Sequence, residues 1–482
     1  MTHMRTQITK TVVAAGVLSA ALAACSADNL TRPDLNNPSP DGLVSDPVSG
    51  LNQLAGGIIA QQRDQAAGWA TGTGILGRES FNYTGTEGRN TTGWLVNPDD
   101  YTSFGGGGLF QTRYINLRNI FIFNDLVETT SAITAQQKEA ARGFSRTTEA
   151  LELFYVILRD DTQGAPVEVY AAPDSVAPFV SRDSVYNFIV ARLTQGAASL
   201  AAGGSAFPFS LSTGYNGFNT PTTFRKFNQA ILAKVQAVRG SIGCGATCYT
   251  AALAALSNSF IDPAGPLTTG VYNVFSTASG STINGATTFG GQARVIVAHP
   301  SIVTDAPKKP DGTPDNRLLA KTTTLASPVS PSFCATTNCI PTSVGFTIYP
   351  TQDSPLPIIR NEELILLRAE ARYFTGDVAG ALADINVIRT RSGGLAPITQ
   401  AAIATTDQFV TELLLQRRYS LLYEGDRWVD VRRFNRLNTL PLDRPNNKVV
   451  SKLPVPQTEC LVRSRRGPAA LAGTGCPEAG GT

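Results

Sequence analysis

The stretch from Asn361 to Arg391 constrains the fold more than any other part of the chain. It reads NEELILLRAEARYF, then Thr-Gly-Asp, then VAGALADINVIRTR, and it stops at Gly393-Gly394. Two segments of helical periodicity joined by so short a turn must double back on each other. Ala369 and Ala381 stand twelve apart, with Ile385 and Ile388 beyond. Small residues let two helices approach closely at a crossing, and the large ones fill the groove beside it. This small-then-large spacing fits a tetratricopeptide-type hairpin of about 34 residues. The same texture recurs more weakly in earlier segments, so the expected scaffold is a degenerate array of helical pairs.

Further helices are predicted at Val48 to Arg63, Tyr114 to Leu126, Ala135 to Leu158, Asp183 to Leu200 with Asp183 as N-cap, Phe224 to Arg239 and Tyr249 to Phe260. Strand-like runs are few, the best being Val271 to Ser276 and Arg294 to Ala298. Two excursions are expected, at about 67–108, rich in Gly, Thr and Asn, and about 263–355, rich in Ser, Thr, Gly and Pro. Long irregular segments of this kind usually carry function. With 42% hydrophobic residues, 482 residues can bury a sizeable core. A net charge of +3 with only 16% charged residues is no nucleic-acid footprint. The basic run Arg463-Ser-Arg-Arg466 reads as a solvated tail.

Arg5 and Lys10 precede a short apolar run, Val12 to Ala21, followed by Leu22-Ala23-Ala24-Cys25. The run is too short to span a bilayer. LAAC resembles the lipobox of bacterial lipoproteins, which implies cleavage after Ala24 and lipid on Cys25. The expected organisation is a signal peptide at 1–24, a lipidated tether at 25–45 and one helical domain over 46–482. Ser26 after the cysteine resembles the sorting pattern for the outer membrane. The other six cysteines fall into close neighbours, Cys244 with Cys248, Cys334 with Cys339 and Cys460 with Cys476, which reads as three local disulfides of an exported protein.

RNEELILLRAEARYFTGDVAGALADINVIRTRSG, then LLLQRRYSLLYEGDRWVDVRRF, then KLPVPQTE, resembles the C-terminal signature of the SusD/RagB family of outer-membrane lipoproteins. The early DLNNPSP and the helices near Tyr114 and Glu139 also sit where that family has comparable features. The resemblance implies a mainly α, SusD-like fold with tetratricopeptide-like helix-turn-helix pairs, and long irregular loops carrying a few short strands. It implies a cell-surface protein that captures a nutrient, commonly a glycan, and works with a SusC-like TonB-dependent transporter, with neither catalysis nor cofactor. Gln416 and Ser420 depart from the family's usual Glu, and a Cys460 to Cys476 loop replaces its Asn-Pro-rich ending.

Catalytic readings fare poorly. Once the signal peptide is removed, His299 is the only histidine, which disfavours histidine triads and His-rich metal sites. Gly72-Thr-Gly74-Ile-Leu-Gly77 matches GxGxxG, but neither the preceding strand nor the following helix of a dinucleotide site is present in the pattern. A glycan hydrolase using paired carboxylates is the alternative to test, with Asp99 and Asp100 as its first candidates. A non-catalytic envelope scaffold is the other. Asp305, Asp311 and Asp315 lack the spacing of a calcium loop and read as turn residues.

For ligand capture, sugar C–H faces stack on aromatic rings while amides and acids satisfy hydroxyls. Trp69, Tyr83, Trp94, Asn97 and Tyr101 carry that chemistry in the first excursion, which also holds Phe81 and Phe104. The motif YEGDRWVDVRRF reads instead as a packed corner. Gly425 is suited to ending a helix and Asp426 to capping a new one at Arg427, with Asp430 one turn on. Glu424 falls on the stripe of Arg417 and Leu421, so its half-buried carboxylate needs a cation from Arg417, Arg427, Arg389 or Arg391.

Overall fold

The computed structural model describes residues 45–84, 87–102, 107–169, 175–287, 296–330 and 339–476. Cys25 and the tether before 45, Phe104, Arg294 and Cys334 lie outside the described residues. The longer helices up to Ser257 are α1 (Pro47–Asp64), α2 (Ala66–Leu76), α3 (Gly107–Thr129), α4 (Ala135–Asp160), α5 (Arg182–Ala202), α6 (Pro221–Arg239) and α7 (Ala246–Ser257). After these come α8 (Asn361–Phe374), α9 (Val378–Arg391), α10 (Thr406–Ser420), α11 (Arg427–Arg433) and α12 (Gln457–Ser464). From α3 to α9 each helix packs on its neighbour in sequence, as stacked helical hairpins do.

The α8–α9 hairpin follows the sequence closely. Ala369, Ala381, Ile385 and Ile388 are fully buried and form one cluster with Phe409 and Leu413 of α10. Tyr373 stacks on Phe409 with centroids 3.8 Å apart. Helix starts are set by side-chain caps: Thr134, Thr220 and Thr405 each close a capping box at α4, α6 and α10. At α5 the cap is Ser181, not Asp183, because the Ser181 hydroxyl accepts from the Ser184 N–H one turn on.

The strands are few and short, as expected, and include others beside the two runs singled out in the sequence. β1 (Ser80–Asn82), β3 (Ile296–Ala298), β5 (Thr342–Phe346) and β4 (Thr322–Val329) form an antiparallel sheet in the order β1-β3-β5-β4. β2 (Gly270–Asn273) pairs with β6 (Leu356–Arg360), which runs directly into α8. The 67–108 excursion is also less irregular than expected, since residues 66–76 are the helix α2. Its glycines serve close packing. A Cβ on Gly72 would fall 2.5 Å from the Trp94 ring, and one on Gly74 2.6 Å from Ser80 Oγ. Glycine normally costs about 1 kcal/mol inside a helix, and here the contacts of Trp94 and Tyr423 offset it.

Disulfides join Cys244 to Cys248, across the α6–α7 turn, and Cys460 to Cys476 at the C-terminal end. Arg463 is buried rather than solvated: it donates to Ala177 O at 3.0 Å and pairs with Glu459 one turn back. No described helix is long and apolar enough to cross a membrane.

Candidate functional site

An open cleft of about 610 Å³ lies where the end of α1, the outer face of α2, β1, the Glu87–Trp94 segment and the start of α3 converge. Trp94 borders the cleft with a small part of its ring, being 8% exposed and laid against Gly72 in the core. The polar lining comes from Asp64, Gln65, Thr71, Asn82, Thr84, Glu87 and Asn90, with Ile283 at the edge. Local turns aim these groups. Asn82 Oδ1 accepts from both the Thr84 N–H (3.2 Å) and its hydroxyl (2.7 Å), which leaves the Asn82 amide NH₂ available to donate. Glu87 accepts from Arg89 Nε at 2.8 Å, Nη2 at 2.6 Å and the Arg89 N–H at 3.0 Å. Those bonds hold its carboxyl below the usual carboxylate range.

Of the five residues singled out for ligand contact, Trp94 alone lines this cleft. Trp69 is turned inward, edge-on to Tyr155 at 5.2 Å and against Gly425, where a Cβ would lie 2.5 Å from its ring. Tyr83 is 1% exposed, stacks on Phe81 and donates to Ile340 O at 2.6 Å. Neither ring has a face left for a sugar. Asn97 is exposed beyond the end of the Trp94 turn, and Tyr101 accepts at its backbone oxygen from Gln457 at the start of α12. The polar lining escaped the sequence reading because Gln, Asn and Thr spread over α1, α2, β1 and a turn show no spacing.

YEGDRWVDVRRF is a packed corner, as its residues implied, with different partners. Gly425 takes φ +96° against Trp69, a conformation and a space that only glycine suits. Glu424 is held by Arg360 of β6, at 2.8 Å from Nη2 and 3.1 Å from Nε, with Lys321 Nζ at 3.8 Å. Arg417 instead binds Asp430 at 2.6 Å, Arg389 binds Glu412, and Arg391 reaches backbone oxygens of Pro263 and Gly265. Sequence spacing cannot show a cation arriving from β6. Asp426 makes no side-chain cap and pairs with Lys234 Nζ at 2.8 Å. Arg427 is half-buried, and loss of water around its guanidinium, with the nearby Arg418, pushes it down to about 10.

This corner also lies inside the part of the chain that known proteins share. Residues 345–460 match the SusD family model. A SusD superfamily protein from Bacteroides vulgatus superposes with a TM-score of 0.64 at 16% identity, covering 86% of this chain and 97% of the other. Residues 345–460 are a SusD-family region on a SusD-like fold. Surface glycan-binding protein A from Bacteroides uniformis follows at TM-score 0.62 and 15% identity, covering 87% and 98%. A laminarin-binding SusD-like protein gives 0.59 and 15%, covering 90% and 99%. No curated protein matches the chain in sequence.

Within this SusD-like chain the catalytic candidates have structural partners. Asp99 receives Lys448 Nζ at 2.8 Å, and Asp100 closes a turn on Thr102, whose N–H and hydroxyl hold its carboxyl below the usual range. A glycosidase acid needs the opposite shift. His299 has a serine and an aspartate beside it, but the ring is 3% exposed. Its Nδ1 accepts from the Ser301 N–H at 3.1 Å, and its Nε2 bonds Asp443 at 3.0 Å. The Ser301 hydroxyl is pinned by Arg418 Nη2 at 2.7 Å, so the trio fixes the start of a one-turn helix. Asp305 pairs with Arg418, Asp311 closes a turn on Thr313, and Asp315 caps the short helix Asn316–Lys321. Among the described residues no group of three or more His, Cys, Asp or Glu is placed to hold a metal.

Proposed function

We propose that this protein is a lipid-anchored binding protein of the outer-membrane surface, which holds a glycan in the Trp94 cleft and delivers it to a partner SusC-like TonB-dependent transporter. It catalyses no reaction in this reading. The cleft carries the argument: amides, hydroxyls and carboxylates beside the exposed edge of one aromatic ring suit a molecule with apolar C–H faces and many hydroxyl groups. The names of the surface glycan-binding and laminarin-binding neighbours support the same ligand class. Cys25 supplies the tether, and two or more acyl chains hold a soluble domain on a bilayer durably.

Affinity electrophoresis through gels containing soluble polysaccharides tests the binding claim. Trp94→Ala is expected to weaken retardation about tenfold or more, equivalent to about 1.4 kcal/mol, while Trp94→Phe retains most of it. Equal retardation of wild type and Trp94→Ala would remove the cleft from the mechanism. The anchor is tested separately. Cys25→Ala is expected to move the protein from the membrane to the soluble fraction, and an unchanged distribution refutes the tether.

A further inference from the structure

Among the described residues that line the cleft the charges are of one sign. Asp64 and Glu87 are its ionisable lining residues, and no lysine or arginine is among the described residues that line it. Asp64 is exposed at the end of α1, with Oδ1 3.3 Å from the Thr282 hydroxyl that donates to it. Glu87 is kept ionised by the three bonds from Arg89. Arg89 is the nearest cation in sequence, 64% exposed at its side chain, with two of its guanidinium nitrogens already on the Glu87 carboxylate. Its Nε–Nη2 edge is thus spent on Glu87, and Arg89 is not among the described residues that line the cleft; an arginine fork is the contact that recognition of carboxylates normally uses. Arg63, the cation nearest to Asp64, points elsewhere and donates from Nη1 to Val274 O at 3.0 Å. The remaining polar lining, Gln65, Thr71, Asn82, Thr84 and Asn90, is uncharged, with the Asn82 amide NH₂ left to donate and the Thr84 hydroxyl oxygen left to accept.

We propose that the cleft takes uncharged glycan chains and excludes those bearing carboxylate or sulfate groups, an inference that rests on the glycan reading above. A uronate or sulfate entering here meets two carboxylates and, among the described lining residues, no lysine or arginine. Like-charge juxtaposition and an unpaired, partly desolvated anion both act against it. A neutral chain meets neither penalty, and the carboxylates accept its hydroxyl protons.

The test compares a neutral set (a β-1,3-glucan, a starch, a xylan) with an anionic set (polygalacturonate, alginate, chondroitin sulfate). Retardation is measured for wild type, Trp94→Ala and the double variant Asp64→Asn/Glu87→Gln at low and moderate salt. The expected result is Trp94-dependent retardation by a neutral chain, none by the anionic set, and at least tenfold better anionic binding by the double variant, most visible at low salt. Trp94-dependent binding of an anionic chain by wild type overturns the charge selectivity while leaving the glycan reading in place. Anionic exclusion that persists in the double variant overturns the assignment to Asp64 and Glu87. Retardation by no member of either set overturns the glycan reading itself, and the inference falls with it.

Discussion

Arg360→Met is expected to cost about 3 to 5 kcal/mol of stability, the range for breaking a buried ion pair and leaving its partner uncompensated. Arg360 is 6% exposed at the end of β6, where the chain enters α8. Its guanidinium grips Glu424 from Nε and Nη2, and its Nη1 binds Glu362. Burial pushes the Glu362 carboxyl up, but Arg360 and Lys321 outweigh this and hold it down at about 2. Methionine fills similar volume without the charge, so both carboxylates lose their main partner; Glu424 keeps only Lys321 at 3.8 Å. Urea unfolding should show a lower midpoint with an unchanged slope. Adding Glu362→Gln and Glu424→Gln to Arg360→Met should restore much of the loss, because neutral amides remove the stranded charges. A loss below about 1 kcal/mol, the value of a surface pair, would show that these charges are solvated. Glu424→Gln alone should cost less, since Arg360 keeps Glu362, and it should leave ligand affinity of the folded protein unchanged.

This corner marks how far sequence reading reaches. The α8–α9 hairpin was legible because its determinants are local: Ala369 and Ala381 meet across a turn of three residues, and Gly393-Gly394 ends it. The partner of Glu424 was not legible, because Arg360 stands 64 residues away and arrives by strand topology. α2 was misread as loop for a related reason. Gly68, Gly72 and Gly74 lower helix propensity, yet the packing of Trp94, Ser80 and Tyr423 against the latter two requires that they lack side chains. β1, β4, β5 and β6 are short or lie in Ser/Thr-rich sequence, and their pairing across long separations leaves little periodic signal. In the cleft, Trp94 was legible as an aromatic in a glycine-rich segment. The same rule also selected Trp69 and Tyr83, which the fold turned inward, because aromatic composition alone does not tell a ring that borders a cleft from one that plugs the core.

Glu79→Gln is expected to abolish a loss of stability that the native protein suffers as pH rises from about 5 to 8. Glu79 is 1% exposed between α2 and β1, with one carboxyl oxygen unpaired among the described residues and the other accepting from the Tyr423 N–H at 3.3 Å. Burial raises its pKa to about 8, against the opposing pull of Arg427 and Arg418 and with a small push from Asp426. The folded value lies above the unfolded one, near 4.5. Between these values the folded chain holds a proton that the unfolded chain has released, so stability is greatest below the unfolded pKa and falls as pH climbs to the folded one. At about 1.4 kcal/mol per unit, the full effect is on the order of 4 to 5 kcal/mol. Glutamine reproduces the protonated carboxyl and cannot ionise. Asp160, raised by burial to about 6, slopes the same way at lower pH in both proteins and cancels in the difference. Lys321, lowered by burial to about 8, acts mainly above this window and with the opposite sign. Urea unfolding at pH 5.5 and 8.0 should therefore show Glu79→Gln gaining on the native protein by several kcal/mol at the higher pH. Parallel pH profiles for the two would mean that Glu79 ionises freely in the fold, with water or Arg427 compensating its buried charge.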